Sequence, residues 1–560
     1  MSLAGTQALN IPENQQQMDF PIKCMVEGRI LSKAGLVAVI LLAWPGLSWT
    51  HAEDEKSAMP PAEARFDILE YRVLGTNKLS GLKVEESVYP FLGPDRTKED
   101  VEQARNALEK AYRDAGYQAV SVQVPPQKPQ DGVVILQVYE GQVARLRVRG
   151  AKYYSPDAIK AAAPSVAEGQ TVNFNDLTLD LMRLNQQADR RVTPSLQAGA
   201  EPGTVDVDLT VQDNLPLHGS VEINNRYSAG TSPLRLNGSA SYNNLWQMGH
   251  TVGLSFQISP QEISEVQVFS GYYLAPIPRV DWLSIMLQGT IQNSSVSTLG
   301  GSAVAGQGNS VGLRTIMNLP TPKGTELYHS VTLGVDYKDF DQGLNIGAST
   351  ISTPITYYPF SIDYNGTWLG RGYSTVLNLG LNFHLRGMGS SPDEFDSKRF
   401  NADGNYVYLR GEVSHTHELP GKMQIFGRIQ GQAANDPLID SEQFSGGGLT
   451  TVRGYLESEV LGDNAILGTL ELRSPSLSTW LGKKVNDWRF YVFGDAGMVT
   501  LNDALPEQQD RFDLASYGIG TRIRVLDHLD GSLNLGFPLI DQSPTQTGDL
   551  LLTFQMAADF

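Results

Sequence analysis

LLLTFQMAADF, residues Leu550 to Phe560, ends the sequence and decides its fold. Leu550, Leu552, Phe554, Met556, Ala558 and Phe560 fall on one side of an extended chain, and Thr553, Gln555 and Asp559 on the other. A period of two marks a β-strand with one apolar and one polar face. The same pattern runs back along the chain in segments of about ten residues that end in turn chemistry. SVEINNRYSAG, RLNGSASYNN, HTVGLSFQIS, SVTLGVDYKD, STVLNLGLNFHLRG, YVYLRGEVSH and MQIFGRIQGQ all show it, and no helical period persists from about Leu215 onward. Strands that show lipid an apolar face and a lumen a polar one make a transmembrane barrel, and residues 215–560 allow roughly sixteen antiparallel strands.

The rest of the composition agrees. Gly 55 against Met 12, with Tyr 22 and Phe 19, is sheet-rich and turn-rich. A net charge of −18 argues against nucleic acid as a partner, because phosphate binding needs a basic face. The apolar run Ala34 to Trp44 is too short to span a membrane as a helix. Arg29 and Lys33 precede it and Ala52 follows, the layout of a signal peptide over residues 1–52. Cleavage there removes Cys24, the single cysteine, so disulfides are not expected. With no other long apolar run, only a closed barrel could put the chain in a membrane.

Between the leader and the barrel lie a short linker, 53–65, and two small α/β units at 66–141 and 142–214. In the first, FDILEYRVLG reads as a strand and TKEDVEQARNALEKAYRDAG as a helix, with Thr97 and Asp100 as a capping box and Gly116 as its stop. YQAVSVQV and GVVILQVYEG follow as strands. The second unit repeats the order: ARLRVRGAKYY, then SPDAIKAAA capped by Ser155, NFNDLTLDLMRLNQQAD, VTPSLQAG and TVDVDLTVQD. This tandem β-α-α-β-β unit resembles the POTRA domain, a periplasmic module that binds extended polypeptide. The C-terminal Phe560, with Phe554, resembles the signal by which outer-membrane barrels are recognised for assembly.

One loop breaks the barrel pattern. SGGGLTTVRGYLES, Ser445 to Ser458, carries Arg453 among glycines and hydroxyls. The next strand, AILGTLELRSP, alternates so that Glu471 points inward. In WRFYVFGDAGMV, Trp488, Phe490 and Val492 face lipid, which sends Arg489, Tyr491, Phe493 and Asp495 inward. A guanidinium in the lumen needs a carboxylate, because an unpaired buried charge is costly, and arginine suits bidentate pairing. The loop around 444–460 is therefore expected to fold into its own pore and dock Arg453 on Asp495 or Glu471.

The motifs then become specific. Val452-Arg453-Gly454-Tyr455 resembles the loop-six motif of the Omp85 superfamily, and Phe493-Gly494-Asp495-Ala496-Gly497 its F-x-D-x-G strand motif, in which the aspartate faces the arginine. DPLIDSEQFSGGGLTTVRGY, LGDNAILGTLELRSP, NNLWQMGH and DRRVTPSLQAG are similar to the two-partner-secretion branch, the haemolysin and adhesin transporters. The resemblance implies an outer-membrane protein with periplasmic POTRA domains that recognises an unfolded partner exoprotein and secretes it through its barrel. The partner would be a large protein with an N-terminal secretion domain. A lipid bilayer, the barrel assembly machinery during biogenesis and a monomeric state complete the expectation. Relatives can carry an N-terminal plug helix; EDEKSAMPPAEAR before the first strand is proline-interrupted and has no amphipathic stripe, which argues against a plug and leaves its existence open.

Other motifs carry less. GNSVG, Gly308 to Gly312, fits a nucleophile elbow, but is read as a loop entering a strand and not as the required strand-to-helix turn. His415 and His417 share one side of a strand without a third ligand nearby, and read as barrel rim. Gly446 to Gly448 lack the lysine and helix of a phosphate cradle. No catalytic set, metal site or cofactor is expected. The rival functions are an Omp85-type factor that inserts other barrels and a passive porin, which would not need POTRA domains.

Overall fold

The computed structural model describes residues 65–560 apart from 129–130, 202, 279, 298–303, 323, 347–348 and 483. The expected leader, nearly all of the linker and the question of a plug helix lie outside the described residues.

Two α/β units come first. In the unit that starts at Phe66, helices α1 (Gly81–Val88) and α2 (Lys98–Asp114) pack on a sheet ordered Glu70–Leu74, Val133–Glu140, Val120–Gln123. Thr97 and Asp100 form the reciprocal capping box of α2, and Gly116 turns away at φ +95°. FDILEYRVLG is not one strand: it breaks at exposed Leu69, where Gly132 O accepts from both Leu69 N and Glu70 N. Phe66–Ile68 pairs instead with Gly93–Arg96. Buried Tyr112 donates to Glu140 at 3.0 Å, and burial together with that carboxylate pushes its hydroxyl pKa up. The second unit places α3 (Pro156–Ala161) and α4 (Phe174–Leu184) on a sheet ordered Gln142–Arg149, Thr204–Asp213, Arg190–Ala198. Asn173 caps α4 and also donates to Ala115 O, so one side chain joins the two units.

The remainder is a closed antiparallel barrel of 16 strands. Its first half is β1 (Leu217–Asn224), β2 (Arg235–Leu245), β3 (His250–Ile258), β4 (Val266–Pro276), β5 (Leu283–Ser297), β6 (Val304–Asn318), β7 (Glu326–Ile346) and β8. Strand β8 is broken into Ser349–Tyr357 and Phe360–Gly370 around Pro359, and both pieces pair with β7. Then follow β9 (Tyr373–His384), β10 (Tyr406–Glu418), β11 (Gln424–Ala434), β12 (Asn464–Arg473), β13 (Val485–Thr500), β14 (Arg511–Val525), β15 (Leu529–Pro538) and β16 (Leu551–Asp559).

The outer wall is apolar and bare: Leu254, Ile291, Ile429, Leu470, Ile519 and Met556 are all more than half exposed. A continuous band of this kind on a closed barrel is a lipid-facing surface. Among the described residues, no helix is long and apolar enough to cross a membrane. Strand β7 has 21 residues and β5 and β6 have 15 each, more than the roughly ten that cross a bilayer. That excess corrects the reading of GNSVG: it lies inside β6, paired on both sides, and not in a loop. Helices also occur in the barrel region, too short to show a period. In α5 (Pro392–Lys398), capped by Ser391, buried Phe395 packs against Tyr357 at 5.8 Å.

The second α/β unit grips the barrel end where β1 begins. The NNLWQMGH turn, with Trp246 and Gln247 at positive φ, accepts from Ser155 N through Gln247 at 2.8 Å and donates to Tyr153 O at 3.0 Å. Asp189 meets His218, and Arg183 meets Asp281. The barrel closes where β1 and β16 share five residue pairs, against fifteen between β13 and β14. Phe560 adds two backbone hydrogen bonds to Gly219 at 2.9 Å, and its ring covers the space a Cβ at Gly219 would need. Gly219→Val is expected to displace that ring and weaken closure by about 1–3 kcal/mol, the usual scale of overpacking. A lower unfolding temperature of the folded band on detergent gels checks it.

Candidate functional site

After β11 the chain does not return directly to the wall. A short hairpin, Phe444–Gly446 with Val460–Gly462, carries residues 447–459 inside the barrel. Gly447 and Gly448 both stand at φ +98°, and a Cβ on Gly448 would strike the Glu457 carboxylate, so glycine is required where the loop turns inward. Val452 and Tyr455 are fully buried, with Phe444, Val460, Leu467 and Leu514 around them. Tyr455 fixes the turn to the far wall by donating to Ala515 O at 3.0 Å and Ile540 O at 2.8 Å. Gly454, φ +91°, lies against β15 so closely that a Cβ on Gly536 would stand 2.7 Å from its Cα.

That turn delivers Arg453 to the carboxylates. Its Nε and Nη2 donate to the two oxygens of Asp495 at 2.7 and 2.8 Å, and its own backbone N donates to Asp495 at 3.0 Å. Nη1 donates to Glu471 at 2.6 Å. The guanidinium lies over the Phe493 ring, 3.6 Å from the centroid, so the aromatic face serves as its floor. Arg453, Glu471 and Asp495 are 5, 4 and 2 % exposed, which makes this a dry, paired charge cluster. Thr469↔Asp495 and Glu471↔Phe493 are cross-strand neighbours on β12 and β13, so the wall presents both acids and the ring together. Gly497 leaves room for Leu467, whose side chain a Cβ there would meet at 2.4 Å. The structure thus brings together Val452, Arg453, Gly454, Tyr455, Glu471, Phe493, Asp495 and Gly497; Phe554 and Phe560 stand apart, on β16 and beyond its end.

Residues 203–523 match the haemolysin secretion/activation protein family, ShlB/FhaC/HecB, and residues 66–141 match the ShlB-type POTRA domain. The chain belongs to this haemolysin secretion/activation family. The outer membrane transporter CdiB of Escherichia coli is 23% identical over 488 residues, covering 85% of this chain and 79% of the relative. The heme/hemopexin transporter protein HuxB of Haemophilus influenzae is 20% identical over 420 residues, 72% of this chain and 71% of that one. The solved structure of E. coli CdiB superposes with a TM-score of 0.59 at 20% identity, over 91% of this chain and 93% of that one, and so shares the fold.

In this member of the family, three further anchors hold the docked loop, and the alternation of strands could not reveal them. Glu442, 2 % exposed, accepts from Tyr357 at 2.6 Å and Tyr408 at 2.8 Å and pairs with Lys338. Asp463, fully buried, accepts from the backbone of Leu438 and Asn502. Glu457 pairs with Arg226, in the link between β1 and β2, at 2.7 Å. Each partner comes from a different part of the chain, so only the folded path of the loop shows them. Arg473, two residues beyond Glu471 on β12, donates to the second oxygen of Glu471 at 2.7 and 2.8 Å. The His415 and His417 rings stack at the end of β10, 6.0 Å apart, with His415 bonded to Thr375 at 2.8 Å.

Asp495 takes three hydrogen bonds from Arg453 and Glu471 one, so the two acids are unequal. Asp495→Asn is expected to destabilise docking by about 3–5 kcal/mol, the cost of unpairing a buried charge, and Glu471→Gln by less. Trypsin cleavage after Arg453 in intact barrels measures it. Gly536→Val, which fills the space against Gly454, should expose the same bond with the charges left intact.

Proposed function

We propose that the Arg453 loop is the latch of a polypeptide-export pore. The protein is a two-partner secretion transporter of the outer membrane: it recognises an unfolded exoprotein through its POTRA domains and secretes it through the barrel. The observation that carries the latch reading is the buried bidentate pair of Arg453 and Asp495. It fills the lumen with a loop while leaving that loop on a hairpin stem that can move as one piece.

The parts then take the following roles. Residues 1–52 are the leader, 53–65 the linker, and 66–141 and 142–214 the POTRA domains, which stand in the periplasm. There the edge strands Glu70–Leu74 and Val120–Gln123 of the first sheet each pair with one strand. In the second sheet residues 169–171 cover the start of Gln142–Arg149, and Asn185 holds Val192 of Arg190–Ala198. The remainder of each outer edge is without a strand partner among the described residues. Strand addition at such an edge binds extended polypeptide through backbone hydrogen bonds, with little dependence on sequence. The partner is a large exoprotein with an N-terminal secretion domain. Folding of that partner outside supplies the driving force, since the sequence carries no nucleotide motif. Val452, Arg453, Gly454 and Tyr455 form the latch, Asp495 and Glu471 hold it, and Phe493 and Gly497 shape its seat. Phe554 and Phe560 are the signal read by the barrel assembly machinery. The transporter works as a monomer and not as an enzyme.

Arg453→Ala is expected to leave the barrel in the membrane and to stop or severely slow secretion of the partner; normal secretion would falsify the latch. A dedicated exporter affects one secreted product on deletion of its gene. A general fall in outer-membrane protein levels would instead identify a barrel-assembly factor, and large, steady conductance of the purified protein a porin.

A further inference from the structure

Withdrawal of the latch leaves a problem that the docked structure already half answers. Among the described residues, every hydrogen bond to Asp495 comes from Arg453. Glu471 is better placed, because Arg473 keeps its second oxygen whether Arg453 is present or not. When Arg453 leaves, Asp495 loses its protein cation, whereas Glu471 keeps Arg473.

The row of the wall that carries Asp495 holds two polar side chains that are unused in the docked state. Cross-strand pairing sets Arg428 of β11 beside Thr469 of β12, Thr469 beside Asp495 of β13, and Asp495 beside Ser516 of β14. Arg428 Nε and Ser516 Oγ are both buried and both without a hydrogen-bond partner. Buried polar groups are nearly always satisfied, so two orphans flanking one carboxylate call for an explanation. No hydrogen bond or ion pair of the Arg428 guanidinium exists among the described residues, although it lies in the field of Asp495, Glu471, Glu412 and Arg453. Two strand spacings, about 10 Å, separate Arg428 from Asp495, with only the short Thr469 side chain between them. An extended arginine reaching toward a carboxylate spans that gap. In the docked state Arg453 already donates three hydrogen bonds to that carboxylate and carries the same charge as Arg428, which disfavours a second guanidinium there.

We propose that Arg428, assisted by Ser516, is the replacement partner of Asp495, a positioning residue that takes over the carboxylate when Arg453 withdraws. This rests on the latch reading of the loop. The wall then offers Asp495 a cation in both states, and the latch moves by exchange of one arginine for another. Arg428 also makes the docked state less favourable, through its idle Nε and its repulsion of Arg453, so the same residue poises the latch to leave.

Single-channel recording of the purified full-length protein in planar bilayers tests this. Arg428→Gln is expected to shorten open dwell times by about tenfold or more, the scale of a lost charged hydrogen bond, and Arg428→Lys to restore part of the loss. A residue that merely supports the wall would loosen the docked loop and lengthen openings; unchanged or longer openings overturn the proposal. Unfolding temperature of the folded band supplies the second readout. Arg453→Ala alone should be tolerated, Arg453→Ala with Arg428→Gln should lose far more than the sum of the singles, and adding Asp495→Asn should recover most of it. Additive losses, or no recovery, reject the exchange. Normal secretion by Arg453→Ala alone would sink the latch itself, a separate result from either.

Discussion

A guanidinium in a dry lumen is held by two carboxylates that come from neighbouring strands, and the architecture of the pore interior follows from that constraint. Charge burial of this kind survives only when geometry is good and hydrogen bonds are complete. Arg453 meets the condition with two contacts to Asp495, one to Glu471 and the Phe493 ring beneath it. Delivering it there requires the chain to turn sharply between barrel walls. The positive φ of Gly447, Gly448 and Gly454 and the close approach of Gly536 are consequences of that delivery. Tyr455 and Val452 then bury what the turn exposes. Remove the pair, and the glycines become a source of loop entropy with nothing to offset it.

The anchors are divided between tip and base. At the base, Asp463 is bound by backbone groups of Leu438 and Asn502, and Glu442 by tyrosines of two strands. Lys338, which also pairs with Glu442, joins the base to β7, a strand of 21 residues. At the tip, ion pairs of Arg453 with its acids and of Glu457 with Arg226 stand beside the buried Val452 and Tyr455. Ion pairs can be exchanged without leaving a cavity, whereas a packed core cannot be unpacked cheaply.

The parts of this arrangement that were legible in the sequence share one property: they depend on strand period. Glu471 and Asp495 could be placed in the lumen because each strand alternates strictly, and Leu550 to Phe560 could be assigned a lipid face for the same reason. The Thr97–Asp100 box was legible because it is local. The break at Leu69 leaves only a change of phase in the sequence, where Ile68 and Leu69 are adjacent apolar residues. Its cause, capture of both amides by Gly132 O, lies 62 residues or more along the chain. GNSVG was misplaced because glycine and serine suggest a loop, while pairing with two long neighbours keeps them in β6. Glu442, Asp463 and Arg226 lie in irregular segments, where no period says which way a side chain points.

Arg226 also ties the latch to the weakest part of the wall. Strand β1 stops at Asn224, and past that end Asn225 continues the seam to β16. Its side chain donates to Leu552 O at 2.7 Å and accepts from Phe554 N at 2.7 Å. The next residue is Arg226, paired with Glu457 at the tip of the loop, and Tyr227 O accepts from Glu457 N at 3.0 Å. The loop tip therefore braces the first strand where that strand has run out of ladder. Movement of the tip must break these contacts or pull the β1–β2 link with it. Under the proposed latch, the seam therefore loses a support when the loop withdraws, which couples the closing strands to the loop.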